Sequence, residues 1–134
     1  MHYFLAKTDP GTYSIDDFAR EGRTVWDGVH NAQALIFLKQ MRPGDEVLIY
    51  HSQGQAAIVG LAQVVSEPRP DPNDAKSWVV ELEFSRKLAT PVSLQEIKAS
   101  HLFDNWQLVR QGRLSTMPAP AEFMTWFKEK SGGT

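Results

Sequence analysis

Apolar and polar positions alternate along one stretch: Trp78, Val80, Leu82 and Phe84 fall on one side, and Val79, Glu81, Glu83 and Ser85 on the other. This period of two predicts a half-buried strand and is the clearest strand signal in the chain. A three-to-four spacing appears earlier, where Ala34, Phe37, Leu38 and Met41 form one stripe and predict a helix over 31–41. Leu35 lies on the flank of that stripe and Ile36 opposite it. Apolar residues in such places are partly covered surface or mark a contact with a partner.

The remaining elements follow from the same pattern and its punctuation. Residues 2–7 predict a short strand, with Tyr3 and Leu5 on one face and Phe4 and Ala6 on the other. Pro10-Gly11 turns the chain, and Ser14-Ile15-Asp16-Asp17 opens a helix ending near Gly22, its apolar face Ile15, Phe18 and Ala19. After Pro43-Gly44-Asp45, strands are predicted over 46–52 and 57–65, with Gly60 marking a bulge or a close backbone approach. Pro68, Pro70 and Pro72 belong to a polar loop. Ser93-Leu94-Gln95-Glu96 starts another capped helix. The segment 101–112 has apolar residues but no dominant period. A last strand over 113–117 and a closing helix with Phe123, Met124, Trp126 and Phe127 complete the chain. No internal repeat or linker interrupts it, so one domain over 1–130 and a flexible tail over 131–134 are expected. Strands close in sequence pair antiparallel, and an α+β fold with a small mixed barrel and flanking short helices accommodates this order.

Composition narrows the function classes. At 134 residues the chain can bury a core without staples, and it has no cysteine for disulfides or thiolate metal sites. The N-terminal stretch lacks signal-peptide form, and no apolar run approaches the roughly 20 residues a membrane helix needs. A reducing cytoplasm is the expected setting, with no membrane association. With 14 Lys+Arg against 16 Asp+Glu, a broad basic surface is excluded, but a local basic patch beside a pocket is not. There is no phosphate-binding glycine loop and no nucleophile elbow. His2, His30, His51 and His101 do not stand at metal-ligand spacings, so neither a metal nor a cofactor is expected.

Chemistry concentrates in Thr24-Val25-Trp26-Asp27-Gly28-Val29-His30-Asn31, read as a loop between two helices. Trp26 offers a flat face and one N–H donor, Asp27 acceptors, and Asn31 both donors and acceptors near a helix start. Those groups suit a planar, hydrogen-bonding ligand such as a nucleobase. They equally suit a core tryptophan, a turn glycine and an N-cap asparagine.

Several motifs occur together and in order: Tyr3-Phe4-Leu5-Ala6-Lys7-Thr8-Asp9-Pro10, Tyr13-Ser14-Ile15-Asp16-Asp17, Trp26-Asp27-Gly28-Val29-His30-Asn31, Gly44-Asp45 with Tyr50-His51-Ser52, Ile58-Val59-Gly60, and Arg110-Gln111-Gly112-Arg113-Leu114-Ser115 before Pro118. This set resembles the EVE domain family over nearly the whole chain. The resemblance implies a PUA-like fold, a small pseudo-barrel with flanking helices. It also implies a non-catalytic module that inserts a modified base, a cytosine or an adenine, of RNA or DNA into a pocket. The related YTH domains read N6-methyladenine in RNA with an aromatic cage. By this resemblance Trp26 stacks on the base, while Thr8, Asp9 and Asp27 meet its edge. Asn31 matches the family asparagine, Lys7 matches the motif lysine, and Tyr50, His51 and Ser52 end a strand aimed at the site. Trp78 matches the tryptophan that opens the family's next strand, and Arg110, Arg113 and Ser115 fall where relatives approach phosphate.

The chain departs from the pattern in places. Thr8-Asp9 stands for the common Ser-Glu, His30 for arginine, and Ala32-Gln33-Ala34-Leu35-Ile36 for Tyr-Gln-Ala-Arg-Asn. These changes imply a pocket that differs in size, charge or ligand, with Leu35 and Ile36 on a more apolar wall or a self-contact. A monomer or weak homodimer is expected. Two alternatives stand beside the reader: an amide hydrolase of modified nucleosides, echoing Lys7-Thr8-Asp9 of PUA-like relatives, and an interaction module.

Overall fold

The computed structural model describes residues 1–131. In chain order its elements are β1 (Tyr3–Thr8), α1 (Ile15–Glu21), β2 (Arg23–Trp26), α2 (Ala32–Leu38), β3 (Glu46–His51) and β4 (Ala57–Val64). They continue with β5 (Arg69–Asp71), β6 (Asp74–Ser93), α3 (Leu94–Ser100), α4 (Gln107–Arg110), β7 (Thr116–Pro118) and α5 (Ala121–Lys130). Ser131 closes α5 by donating its N–H to the Phe127 carbonyl, and 132–134 of the expected tail lie outside the described residues.

The alternating run at 78–85 proves to be the middle of β6, a strand of 20 residues. It reaches Ser93 because β4 pairs with its second half, through register shifts at Ile58/Gly60 and Leu61/Ala62. The seven strands form one mixed sheet in the order β2-β6-β4-β3-β1-β7, with β5 pairing on β6. Among the described residues, only β1 and β3 run parallel. The expected α+β fold with flanking short helices is present, its mixed sheet unclosed rather than a fully closed barrel. Closure requires the end strands to share a ladder, but among the described residues four-residue β2 pairs only with β6 and three-residue β7 only with β1. The proline-rich loop also yields structure, since Arg69 to Asp71 pair with β6.

The sheet buries Leu5, Leu48, Ile58 and Leu82 among its side chains, and the helices contribute Phe18, Leu38, Ile97, Phe123 and Phe127. Both predicted capping boxes are present: Ser14 with Asp17 opens α1, and Ser93 with Glu96 opens α3. Helix α2 stops at Leu38, short of the predicted end, although Met41 remains fully buried in the turn that follows. The irregular 101–112 segment is tied down by aromatic contacts. The Trp106 indole N–H donates to the Pro118 carbonyl at 2.8 Å, and its ring lies 4.4 Å from that of Phe123.

Gly60 is the close approach the sequence pointed to. A Cβ there would sit 2.4 Å from Ile15 Cδ1 and 2.9 Å from the Arg86 carbonyl oxygen. Helix α1 therefore lies on β4 only because this position has no side chain. That contact seats the start of α1, whose last residue, Glu21, lines the cleft described below.

Candidate nucleic-acid interface

The first three residues of the segment expected as a loop, Thr24 to Trp26, are strand. Arg23 to Trp26 pair with β6, with Thr24 opposite Leu82 and Trp26 opposite Val80. Only from Asp27 does the chain leave the sheet, turning through Gly28 at φ 77°. This loop is held from below: the Ser77 hydroxyl, itself buried, donates to the Val29 carbonyl at 2.7 Å.

A cleft of about 450 Å³ opens where this strand end meets β1 and α1. It is lined by Lys7, Thr8, Thr12, Tyr13, Glu21, Thr24, Val25, Trp26, Asp27 and Gly28. Trp26 is both wall and core. It is 7% exposed, packs edge-on to Tyr13 at 6.2 Å and lies 6.1 Å from Phe18. Its burial and ring contacts are those of a core tryptophan, and it also lines the cleft.

The polar groups of the cleft are fixed by their partners. The Thr8 hydroxyl donates to the Tyr13 carbonyl at 2.8 Å. The Tyr13 hydroxyl donates to Glu21 Oε1 at 2.5 Å and interacts with the Thr24 side chain. Burial, followed by the bond to Glu21, pushes the Tyr13 hydroxyl up to about 12. Lys7 Nζ donates to the Gly112 carbonyl at 2.9 Å and lies over the Tyr50 ring at 5.4 Å. Burial holds its ammonium below the usual lysine value. Asp27 is exposed at the cleft mouth.

Four of the sequence-derived site residues meet in this cleft: Lys7, Thr8, Trp26 and Asp27. Five do not line it. Asp9 holds its own turn, with its carboxylate accepting from the Gly11 N–H. Asn31 is the N-cap of α2, its Oδ1 accepting from the Ala34 N–H at 3.0 Å. Tyr50 is buried under Lys7. His51 Nε2 accepts from the Ile15 N–H at 3.1 Å, so it secures the start of α1, and burial lowers its pKa. Ser52 hydrogen-bonds back to the Thr8 carbonyl. These five support the cleft rather than wall it.

The basic segment lies beside the cleft because Lys7 reaches it from both ends. Its Nζ holds Gly112, and its backbone N–H donates to the Ser115 carbonyl at 2.8 Å. Arg110 and Arg113 are exposed, and Arg110 donates to Asn105 Oδ1. Trp78 lies outside the cleft, under Lys39 Nζ at 4.8 Å. His30, in place of the family arginine, faces Asp74 at 3.3 Å. Leu35 and Ile36 do not wall the cleft: Leu35 packs on the core, and Ile36 is 57% exposed.

Sequence reasoning overlooked Thr12, Glu21, Thr24 and the side chain of Tyr13 as site residues. Thr24 had a usable signal, since it stands two positions before Trp26 and so shares its face of a strand. Glu21 had none, because it reaches the cleft from the last residue of a helix.

Comparison with known proteins gives the family. The sequence matches the EVE domain model over residues 2–129. The chain belongs to the EVE domain family. It is 33% identical to thymocyte nuclear protein 1 of Rattus norvegicus over 128 aligned residues, covering 75% of the chain and 57% of the relative. The EVE chain thus spans little more than half of that curated relative. Among solved structures, Rpa0253 from Rhodopseudomonas palustris has a TM-score of 0.91 at 33% identity, covering 98% of this chain and 94% of that one. Human THYN1, solved in complex with 5-methylcytosine-containing DNA, has a TM-score of 0.88 at 26% identity, with 98% of both chains covered. An ASCH protein from Zymomonas mobilis shares the fold alone, with a TM-score of 0.60 at 6% identity over 96% of this chain and 98% of that one.

Proposed function

We propose that this EVE domain is a non-catalytic reader of modified DNA that takes a modified cytosine into the cleft at Trp26. The observation that carries this reading is the cleft itself. An aromatic wall, one cation and two carboxylates surround a space of about 450 Å³, next to two exposed arginines. The likeness to a THYN1 protein solved with 5-methylcytosine-containing DNA supports modified cytosine in DNA over the adenine and RNA ligands. Extracting a base costs a few kcal/mol, least from a single strand. Stacking returns about 1–3 kcal/mol per base. Hydrogen bonds in the cleft and phosphate contacts from Arg110 and Arg113 supply the remainder, which is compatible with a net charge of −2.

Titration of oligonucleotides that differ in a single 5-methyl group tests it. About tenfold tighter binding of the strand with 5-methylcytosine than of the plain strand is expected. Equal affinity at low salt removes the reading. Parallel titrations with N6-methyladenine and with RNA strands establish the range of ligands.

The hydrolase reading draws on the shared ASCH fold and the lowered pKa of Lys7. Against it, the Thr8 hydroxyl is directed to the Tyr13 carbonyl, while the Lys7 ammonium is held by Gly112. Absence of turnover of N-acylated nucleosides by the wild type excludes it.

A further inference from the structure

The cleft combines a group that only donates with groups that only accept. At the α1 side, Glu21 presents a carboxylate and therefore only acceptors. It is not a loose surface acid, because the Tyr13 hydroxyl donates to Oε1 at 2.5 Å. Tyr13 is itself oriented, by edge-on packing against Trp26 and by the Thr24 side chain. The Tyr13 proton is committed to Oε1, which leaves Oε2 outside that bond. At the β1 side, Lys7 has donors only, one of them used on Gly112. A base entering here meets the donors of Lys7 and the acceptors of Glu21 and Asp27.

We propose that Glu21, held by Tyr13, is the specificity-determining residue that admits bases carrying an exocyclic amino group and rejects those carrying a carbonyl in its place. The inference rests on the reader function and names its ligand class: cytosine-type bases with a free 4-amino group. The amino group donates to Glu21, in the way acidic side chains accept from the N4 group of cytosine in duplex readout. The base carbonyl and ring nitrogen accept from Lys7. Thymine carries the same 5-methyl group as 5-methylcytosine but presents O4, an acceptor, to the carboxylate. That pairing leaves two acceptors facing each other without a proton, which recognition sites built on hydrogen bonds reject strongly.

The test compares three strands that differ at one position: 5-methylcytosine, plain cytosine and thymine. Wild type is expected to bind 5-methylcytosine at least about tenfold tighter than thymine. Glu21→Gln, whose amide can donate to O4, is expected to erase that preference while both strands still bind. Tyr13→Phe is expected to weaken the preference, since Glu21 is no longer held. A Glu21→Gln protein that keeps the wild-type ratio overturns the inference and leaves the reader function standing. Loss of the ratio in Asp27→Asn, but not in Glu21→Gln, overturns it in the same way. Wild type that binds 5-methylcytosine and plain cytosine equally removes the modified-cytosine reading but leaves this inference, since both bases carry the 4-amino group; wild type that binds thymine as tightly as 5-methylcytosine overturns the inference.

Discussion

The Lys7 ammonium donates to the Gly112 carbonyl oxygen at 2.9 Å, joining residues 105 positions apart in sequence. This bond ties the cleft, which Lys7 lines, to the segment that carries Arg110 and Arg113. Lys7→Met keeps the aliphatic stem and removes the donor. Folding stability is expected to fall by about 1 kcal/mol, with faster amide hydrogen exchange across 112–115. Affinity for modified and plain strands is expected to fall together. Unchanged exchange in that segment contradicts the clamp.

Arg113 is exposed and, among the described residues, is not in an ion pair. Its expected role is a phosphate contact that positions the strand without reading it. Arg113→Ala is expected to weaken all strands by a similar factor and to reduce the slope of log affinity against log salt by about 1. Loss confined to the modified strand assigns Arg113 to the base instead.

His51 makes stability depend on pH. Its Nε2 accepts from the Ile15 N–H at the start of α1, and burial, opposed by Asp16 and reinforced by Lys87, lowers its pKa below 6.5. The unfolded chain therefore binds this proton more readily than the folded one, so stability rises with pH in that window. The contribution is fully present above about 6.5 and is lost as pH falls from there through the lowered folded value. Denaturant unfolding of His51→Gln is expected to show a shallower decline in acid than wild type. Parallel curves remove His51 as the source.

At Gly60, Ile15 and the Arg86 carbonyl occupy the space a methyl group needs. Gly60→Ala is expected to destabilise by about 1–3 kcal/mol, read as a lower midpoint in urea at unchanged m-value. Because α1 carries Glu21, the thymine discrimination should shrink as well. A neutral substitution shows that α1 can lift from β4 without consequence.

Local signals carried far in this chain. The capping serines Ser14 and Ser93 act on backbone groups three residues away, so their motifs declare them directly. Gly60 announced a close approach because glycine in an apolar strand has few other uses. Long-range pairing was less visible. Four residues, Arg23 to Trp26, become a strand because β6 lies beside them; Thr24, Val25 and Trp26 favour that state, but the run is too short to declare it alone. The sheet stays open for a similar reason: the shortness of β7 emerges only once β1 has set its pairing. In the site, Lys7, Thr8, Trp26 and Asp27 were legible through motifs. Asp9, Asn31, Tyr50, His51 and Ser52 belong to the same motifs, but their hydrogen bonds and packing serve the turns and elements around the cleft. Glu21 owes its position to the Tyr13 hydroxyl, a contact no spacing rule encodes.

Trp26→Ala is a poor probe of the cleft, since deleting a tryptophan 7% exposed costs roughly 3–5 kcal/mol. The most direct measurement is an NMR titration of the intact chain with a single-stranded DNA oligonucleotide carrying one 5-methylcytosine. Entry of the base predicts the largest shifts at the Trp26 indole N–H and at the amides of Thr8, Thr24 and Gly28, with smaller shifts over 112–115. Saturating shifts clustered around Ile36 or Leu102, with the Trp26 indole unmoved, contradict base insertion in this cleft.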